Sequence, residues 1–248
     1  MATWETAFRV VRWDSSTFPA PSTLLSAFAD LLRYAPSFGG RPLLGGILVS
    51  ITRLIINFAL SLLIGGALGL LLWRFKWLNE QFGPVFLGLQ TLPSVCWVPI
   101  ALLAIGNNER AVSFVVIAGS TFAIALALRD GLRSIPPIYQ RVGAMLGTRG
   151  WRMYRHVLLP ASLPALSSTL RQGFSFAWRS LMGAEVLFAV ERNGLGAVLQ
   201  MARTSQNSRA EIIAVMIVMV LIGMFADRFA FAQLECKIAR QFGLTMEV

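Results

Sequence analysis

Charged residues are absent from four long stretches of the chain. Leu54–Trp73 holds none over 20 positions, Gln81–Asn108 none over 28, Ala111–Leu128 none over 18 and Ile212–Ala226 none over 15. A helix needs about 20 mostly apolar residues to cross a bilayer. The first three stretches qualify directly, and the fourth qualifies if the side chains at its ends snorkel to the interface. A fifth stretch, Pro164–Val190, is apolar but carries Arg171, Arg179 and Glu185. The pattern predicts an all-α fold, a polytopic transmembrane helical bundle with spans near 44–73, 84–105, 111–128, 164–190 and 210–230. Ahead of them, Ser22–Tyr34 has apolar residues at 24, 25, 28, 31 and 32. That spacing predicts a short amphipathic helix, punctuated by Pro19, Pro21 and Pro36.

Residues 129–163 break the pattern. They are too polar to span a membrane and too apolar for a solvated linker. Pro136 and Pro137 suit a helix start, with Ile138, Val142, Met145 and Leu146 as its apolar positions. Gly147 and Gly150 allow a sharp reversal. A second short helix then carries Trp151, Tyr154, Val157 and Leu158 among Arg149, Arg152 and Arg155, ends at Pro160, and is followed by a new span opening at Pro164. The expected shape is a helix-turn-helix hairpin with apolar knobs and a ring of arginines, suited to a groove on a soluble partner.

Composition agrees with a membrane protein. Of 248 residues, 56% are hydrophobic and 14% charged, against about 25% charged in ordinary domains. Disorder is excluded by the hydrophobicity, and a disulfide scaffold by having only Cys96 and Cys236. Residues 1–40 contain no signal-peptide pattern. The net charge of +10 is distributed by side. The segments 73–83, 129–163 and 232–248 hold ten basic residues, whereas Arg110, Arg192, Arg203 and Arg209 mark the opposite loops. The positive-inside bias puts the first set in the cytoplasm and the N-terminus outside, so the basic excess calls for no nucleic-acid partner. A single His and no acidic cluster leave no metal site and no catalytic group, and no phosphate-binding P-loop sequence is present. The chain is therefore not read as an enzyme. Cys96 and Cys236 are read as free thiols. Gly65-x-x-x-Gly69 offers a close helix contact, and Asn57 a hydrogen bond to a neighbouring helix.

With these residues in view, the sequence resembles the membrane permease subunits of bacterial ATP-binding-cassette (ABC) importers. Their cytoplasmic loop carries Glu-Ala-Ala, three residues, Gly, nine residues, Ile, any residue, Leu-Pro. Gly147, nine residues and Val157-Leu158-Leu159-Pro160 match its second half. The stretch 146–166, LGTRGWRMYRHVLLPASLPAL, is similar to the subgroup that serves nitrate, sulfonate, taurine and bicarbonate-type importers. Ser50-Ile51-Thr52-Arg53, Thr91-Leu92-Pro93, Pro99-Ile100, Phe176-Ala177-Trp178-Arg179, Ala184-Glu185 and Gly194-Leu195-Gly196 follow the same pattern in order. The resemblance covers about residues 19–235. It departs at Arg141-Val142-Gly143, which stand where the family has Glu-Ala-Ala. It also departs at the start, where the family has one more span before the segment matched by Pro21-Ser22.

The resemblance implies a type I ABC importer permease fold in the bacterial inner membrane. It implies a small anion as cargo (nitrate, sulfonate, taurine or bicarbonate class), moved by alternating access. The implied partners are two cytoplasmic ATPase subunits, a second permease subunit (a second copy, making a homodimer, or a relative), and an extracytoplasmic solute-binding protein. No cofactor is expected in this chain, because ATP and magnesium belong to the ATPases. The organisation is then an N-terminal segment 1–43, a permease domain 44–235 with coupling loop 129–163, and a cytoplasmic tail 236–248. The ATPase contact is expected from Arg141, Ala144, Leu146, Gly147, Trp151, Arg152, Val157, Leu159 and Pro160.

A charge inside a span costs about 2.5–3.5 kcal/mol on insertion scales and marks function by default. Arg53, Arg179 and Glu185, with Trp178 beside Arg179, are therefore the candidates for the translocation pathway. The other reading is a structural ion pair. Arg179 and Glu185 are six residues apart on different faces, so the partner expected for Glu185 is Arg53. The competing class of function is a stand-alone channel or secondary transporter, for which the arginine-rich loop is a topology signal only.

Overall fold

A computed structural model describes residues 21–33, 42–148, 150–188, 190, 193–203, 208–234 and 238. Among the described residues the chain is helical, with no strand. The elements are α1 (Pro21–Arg33), α2 (Pro42–Arg74), α3 (Lys76–Thr91), α4 (Trp97–Ala104), α5 (Glu109–Arg133), α6 (Pro137–Met145), α7 (Leu159–Leu187), α8 (Leu195–Ala202) and α9 (Ser208–Ala226). A 3-10 turn, Ser94–Cys96, precedes α4, and a π turn, Asp227–Phe231, follows α9.

Three helical stretches, Leu43–Arg74, Glu109–Arg133 and Arg209–Leu234, are long and apolar enough to cross a membrane, and the bent pair Lys76–Thr91 and Ser94–Ala104 makes a fourth. The fifth expected span is α7. At 29 residues it is long enough, but its charges and hydroxyls keep it less apolar than the others.

Helix α5 is the centre of the bundle. Ala111, Val112, Val115, Val116, Ala123, Ile124 and Ala125 are buried in it, because α2 covers one side and α7 the other. Small residues set the distances. A side-chain carbon at Gly65 would stand 2.7 Å from the Thr121 carbonyl oxygen, and one at Gly69 the same distance from that of Ala125. Lipid supplies no hydrophobic drive between helices, so such backbone approach is what holds them. Gly66, between the two, meets nothing. The amphipathic α1 places Leu24 and Ala27 on Ala210 and Ile213 at the start of α9.

Two expectations change. The charge-free run read as one span at 84–105 is two helices meeting at 98°. Helix α3 starts earlier, at Lys76, runs through Pro84 and stops before Pro93. Leu92 takes φ −64° and ψ 127°, the extended geometry that a following proline imposes. The second change is at the coupling segment. The expected break at Pro160 and restart at Pro164 do not occur, because one helical path runs from Trp151 to Leu187. It passes through a π turn at Tyr154–Leu158, which widens the helix locally. Pro160 then falls in the first turn of α7, where its missing N–H is not needed, and Pro164 is carried inside the helix.

Candidate functional site

Three features bear on function, and the first is a polar clasp at one end of the bundle. Glu185, near the end of α7, is 2% exposed and receives three donors. Arg53 Nη1 donates to Oε1 at 2.9 Å, and Ser50 Oγ donates to Oε2 at 2.6 Å. The backbone N–H of Gly196 donates to Oε2 at 3.1 Å. Ser50 Oγ in turn accepts the Leu195 N–H at 2.8 Å. The carboxylate therefore sits at the N-terminus of α8, where orphan N–H groups and the helix dipole favour an anion. Gly194 and Gly196 permit the approach, since side-chain carbons there would lie 2.2 and 2.5 Å from Glu185 atoms.

Arg53 is shared. Its Nε donates to Glu109 Oε2 at 2.9 Å, and its Nη2 donates to Glu109 Oε1. Glu109 opens α5 after an Asn108 cap, whose side chain accepts the N–H groups of Arg110 and Ala111 at 3.0 and 3.1 Å. The clasp thus joins α2, α5, α7 and α8 at the end where α5 begins and α7 finishes. The expected Arg53–Glu185 pair is present. Glu109 and Ser50 were not anticipated, although Glu109 is the only carboxylate between Glu80 and Asp130 and starts a helix. Beside the clasp, a pocket of about 360 Å³ is lined by Thr52, Arg53, Asn57, Glu109 and Ser113, among others. Asn57 is buried, but its Oδ1 has no hydrogen-bond partner among the described residues, so the expected link through it is not found. Below the Arg53–Glu109 pair, a further polar link between α2 and α5 runs from Ser120 Oγ to Ser61 Oγ, at 2.8 Å.

The second feature is a groove between α7 and the end of α9, about 780 Å³ in volume. Ser168, Gln172, Ser175 and Arg179 lie along it at intervals of four, three and four residues, so they form one stripe of α7. All four belong to the face turned away from α5, and Ser168, Gln172, Ser175 and Arg179 are exposed. Arg171 lies in the same groove and donates from Nε and Nη2 to the two carboxylate oxygens of Asp227, at 2.6 and 2.7 Å. Arg179 stacks over Phe176, 4.6 Å from the ring centre, and its Nε donates to the Ser175 carbonyl at 3.2 Å. Among the described residues, no carboxylate pairs with it. Trp178 is half-buried, with its indole toward Gly223 of α9. The structure therefore separates the four pathway candidates. Trp178 and Arg179 border this groove, whereas Arg53 and Glu185 belong to the clasp.

The third feature is the hairpin. Helix α6 ends in Leu146 and Gly147. Gly147 has φ +76° and donates its N–H to Ala144, while Thr148 closes on the Gly143 carbonyl with both its N–H and its Oγ1. Gly150 also has positive φ, at +57°. Among the described residues of α6, Gly143 is the buried one, seated against Met153 and Thr148. The remaining surface points outward. Met145 is 80% exposed and Leu146 77%, and Arg141, Ala144, Arg152 and Leu159 are exposed as well. Val157 and Pro160 are partly covered. Arg149 and the side chain of Trp151 lie outside the described residues, as do Cys236 and most of 236–248. His156 Nδ1 is 3.2 Å from the Arg152 carbonyl, and no metal-binding group of His, Cys, Asp and Glu occurs among the described residues.

Comparison with known proteins places this architecture. Residues 61–234 match the family described as binding-protein-dependent transport system inner membrane component. The chain is 29% identical over 220 residues to the nitrate import permease protein of Synechocystis sp., covering 87% of this chain and 78% of that one. It is 30% identical over 182 residues to the bicarbonate transport system permease protein of Synechococcus elongatus, covering 73% of this chain and 65% of that one. A putative ABC transporter permease protein of Methanocaldococcus jannaschii is 30% identical over 190 residues, covering 77% of this chain and 70% of that one. Among solved structures, a chain of the MetNI methionine ABC transporter, inward-facing, superposes with a TM-score of 0.65 over 79% of this chain and 96% of that one. At 17% identity that likeness concerns the fold.

Proposed function

Since the chain belongs to the family of binding-protein-dependent transport system inner membrane components, the permeases of ABC importers, we propose that it carries a small monovalent anion past Arg179. The observation that carries this reading is the stripe Ser168–Gln172–Ser175–Arg179. Polar groups on a membrane helix are expensive against lipid, so a stripe of them facing outward needs a wet path or a partner surface. Arg171 and Asp227 neutralise each other in the groove, and Arg179 leaves one net positive charge there. That charge offsets the desolvation of a single anion without holding it tightly, as passage requires. Two relatives are named for nitrate and bicarbonate, both of which carry one negative charge.

In this reading a second copy of the chain closes the path, and an extracytoplasmic binding protein supplies affinity and delivers the solute. Two ATPase subunits, holding ATP and magnesium, grip the hairpin around Gly147 and move it. This chain holds no cofactor. The clasp of Arg53 and Glu185 sets the positions of α2, α5, α7 and α8.

The test is ATP-dependent uptake of nitrate or bicarbonate by the reconstituted transporter. Arg179→Ala should lower the maximal rate about tenfold, a barrier change of about 1.4 kcal/mol. The half-saturating concentration should stay the same, because the binding protein sets it. Arg179→Lys should keep part of the rate, having the charge but not the planar fork. A normal maximal rate in the alanine variant would overturn the proposal.

A further inference from the structure

The hairpin is one-sided in charge. Across residues 131–163, the hairpin outside the spans, the sequence has no carboxylate at all. Arg133, Arg141, Arg152 and Arg155 are all exposed there. Orientation in the membrane explains the arginines but not the missing acids, because Asp and Glu contribute little to the positive-inside bias. Something else keeps carboxylates off this surface.

The arrangement of the cations indicates what that is. A helix that lies on a lipid surface segregates its cations from its apolar side chains. Helix α6 does not. Arg141 shares a face with Ile138, three residues before it, and Met145, four after it, and all three are exposed. Cations set among apolar knobs suit a protein cleft with an apolar floor and a rim of opposite charge. Gly143 anchors α6 on Met153, so the hairpin presents this surface ready-formed.

We propose that the hairpin docks in an apolar cleft of the ATPase subunit that is rimmed with carboxylates, the nearest of them opposite Arg141 and Arg152, and that this charge sign selects the cognate ATPase. The inference rests on the proposed function, in which the hairpin is the ATPase contact. It adds the chemistry of the partner surface.

Binding of the purified ATPase subunit to the full chain tests it, in nanodiscs of neutral phosphatidylcholine and in nanodiscs containing anionic phosphatidylglycerol. In neutral discs, affinity for the wild-type chain should fall about tenfold between about 50 and 500 mM salt. Arg141→Glu combined with Arg152→Glu should weaken low-salt binding by at least about tenfold and flatten the salt dependence. Arg141→Lys should keep binding and allow a carbodiimide cross-link from its amine to an Asp or Glu of the ATPase. Salt-independent binding that the double variant leaves unchanged would overturn the charge inference alone. So would an effect of the double variant confined to anionic discs, which would assign the arginines to lipid headgroups. If the ATPase fails to bind the wild-type chain, the docking reading falls and this inference with it.

Discussion

Glu185 shows what a buried ion needs. It is enclosed, and each of its oxygens is occupied by an arginine, a serine or a backbone N–H. Removing one partner from such a pair leaves the other charge uncompensated, at a cost of about 3–5 kcal/mol. Arg53→Ala should therefore lower the melting temperature and the monodisperse yield in detergent, measured by fluorescence-detected gel filtration. Arg53→Met combined with Glu185→Met should recover part of that loss, since it removes both desolvation penalties. A double variant no more stable than the single would show that the cap on α8 outweighs the pair. Gly147 poses a different problem. A side-chain carbon there meets nothing within 4 Å, but φ is +76°. Strain of about 1–2 kcal/mol is then a matter of backbone alone. Gly147→Asn, which tolerates this region, should preserve transport coupled to ATP hydrolysis. Gly147→Val should leave the protein inserted while hydrolysis no longer drives uptake. Equal coupling in both variants would remove the turn from the mechanism.

At the scale of elements, the seam between α2 and α5 follows a four-residue rhythm. Arg53, Asn57, Ser61, Gly65 and Gly69 succeed one another along α2, polar toward the clasp and bare toward the other end. The glycines let the two backbones touch, and a substitution therefore acts according to its place in the rhythm. Gly65→Leu should separate the helices and abolish the folded fraction, while Gly66→Leu, facing open space, should be tolerated. Similar behaviour of the two variants in a thermal-stability assay would mean that this seam does not limit stability. The spacing of Gly65 and Gly69 was readable as a motif. That Gly66 is idle depends on the rotation of α2 about its axis, which neighbours fix. The bend after Thr91 likewise has a local cause in Pro93. Its angle of 98° is set by the Ser94–Cys96 turn packing against α5 and α7.

For the whole molecule, alternation of the helices places the clasp and the hairpin at opposite ends. The clasp gathers the start of α5 and the end of α7, whereas the hairpin joins the end of α5 to the start of α7. The charge bias assigns the hairpin to the cytoplasm. With Cys96 and Cys236 replaced by Ser, Leu146→Cys should resist an impermeant thiol reagent applied outside intact cells, and Arg203→Cys should react with it. Labelling of Leu146→Cys from outside would invert the topology and detach the hairpin from any cytoplasmic ATPase.

The amino-acid sequence by itself determined the helical class, the lengths of the apolar runs and the reversal at Gly147. Each of these depends on local composition, a short period or one residue's backbone freedom. It also offered Arg53 as the partner of Glu185, since a charge inside a span needs a counter-charge. Only the tertiary structure decided that Glu109 shares Arg53 and that Asp227 neutralises Arg171. These contacts join helices 56 residues apart in the chain, and no periodicity encodes such a distance. The continuous path from Trp151 to Leu187 was hidden for another reason. Pro160 and Pro164 read as breaks until a π turn, invisible in composition, places the first in an opening turn and the bundle holds the second in register.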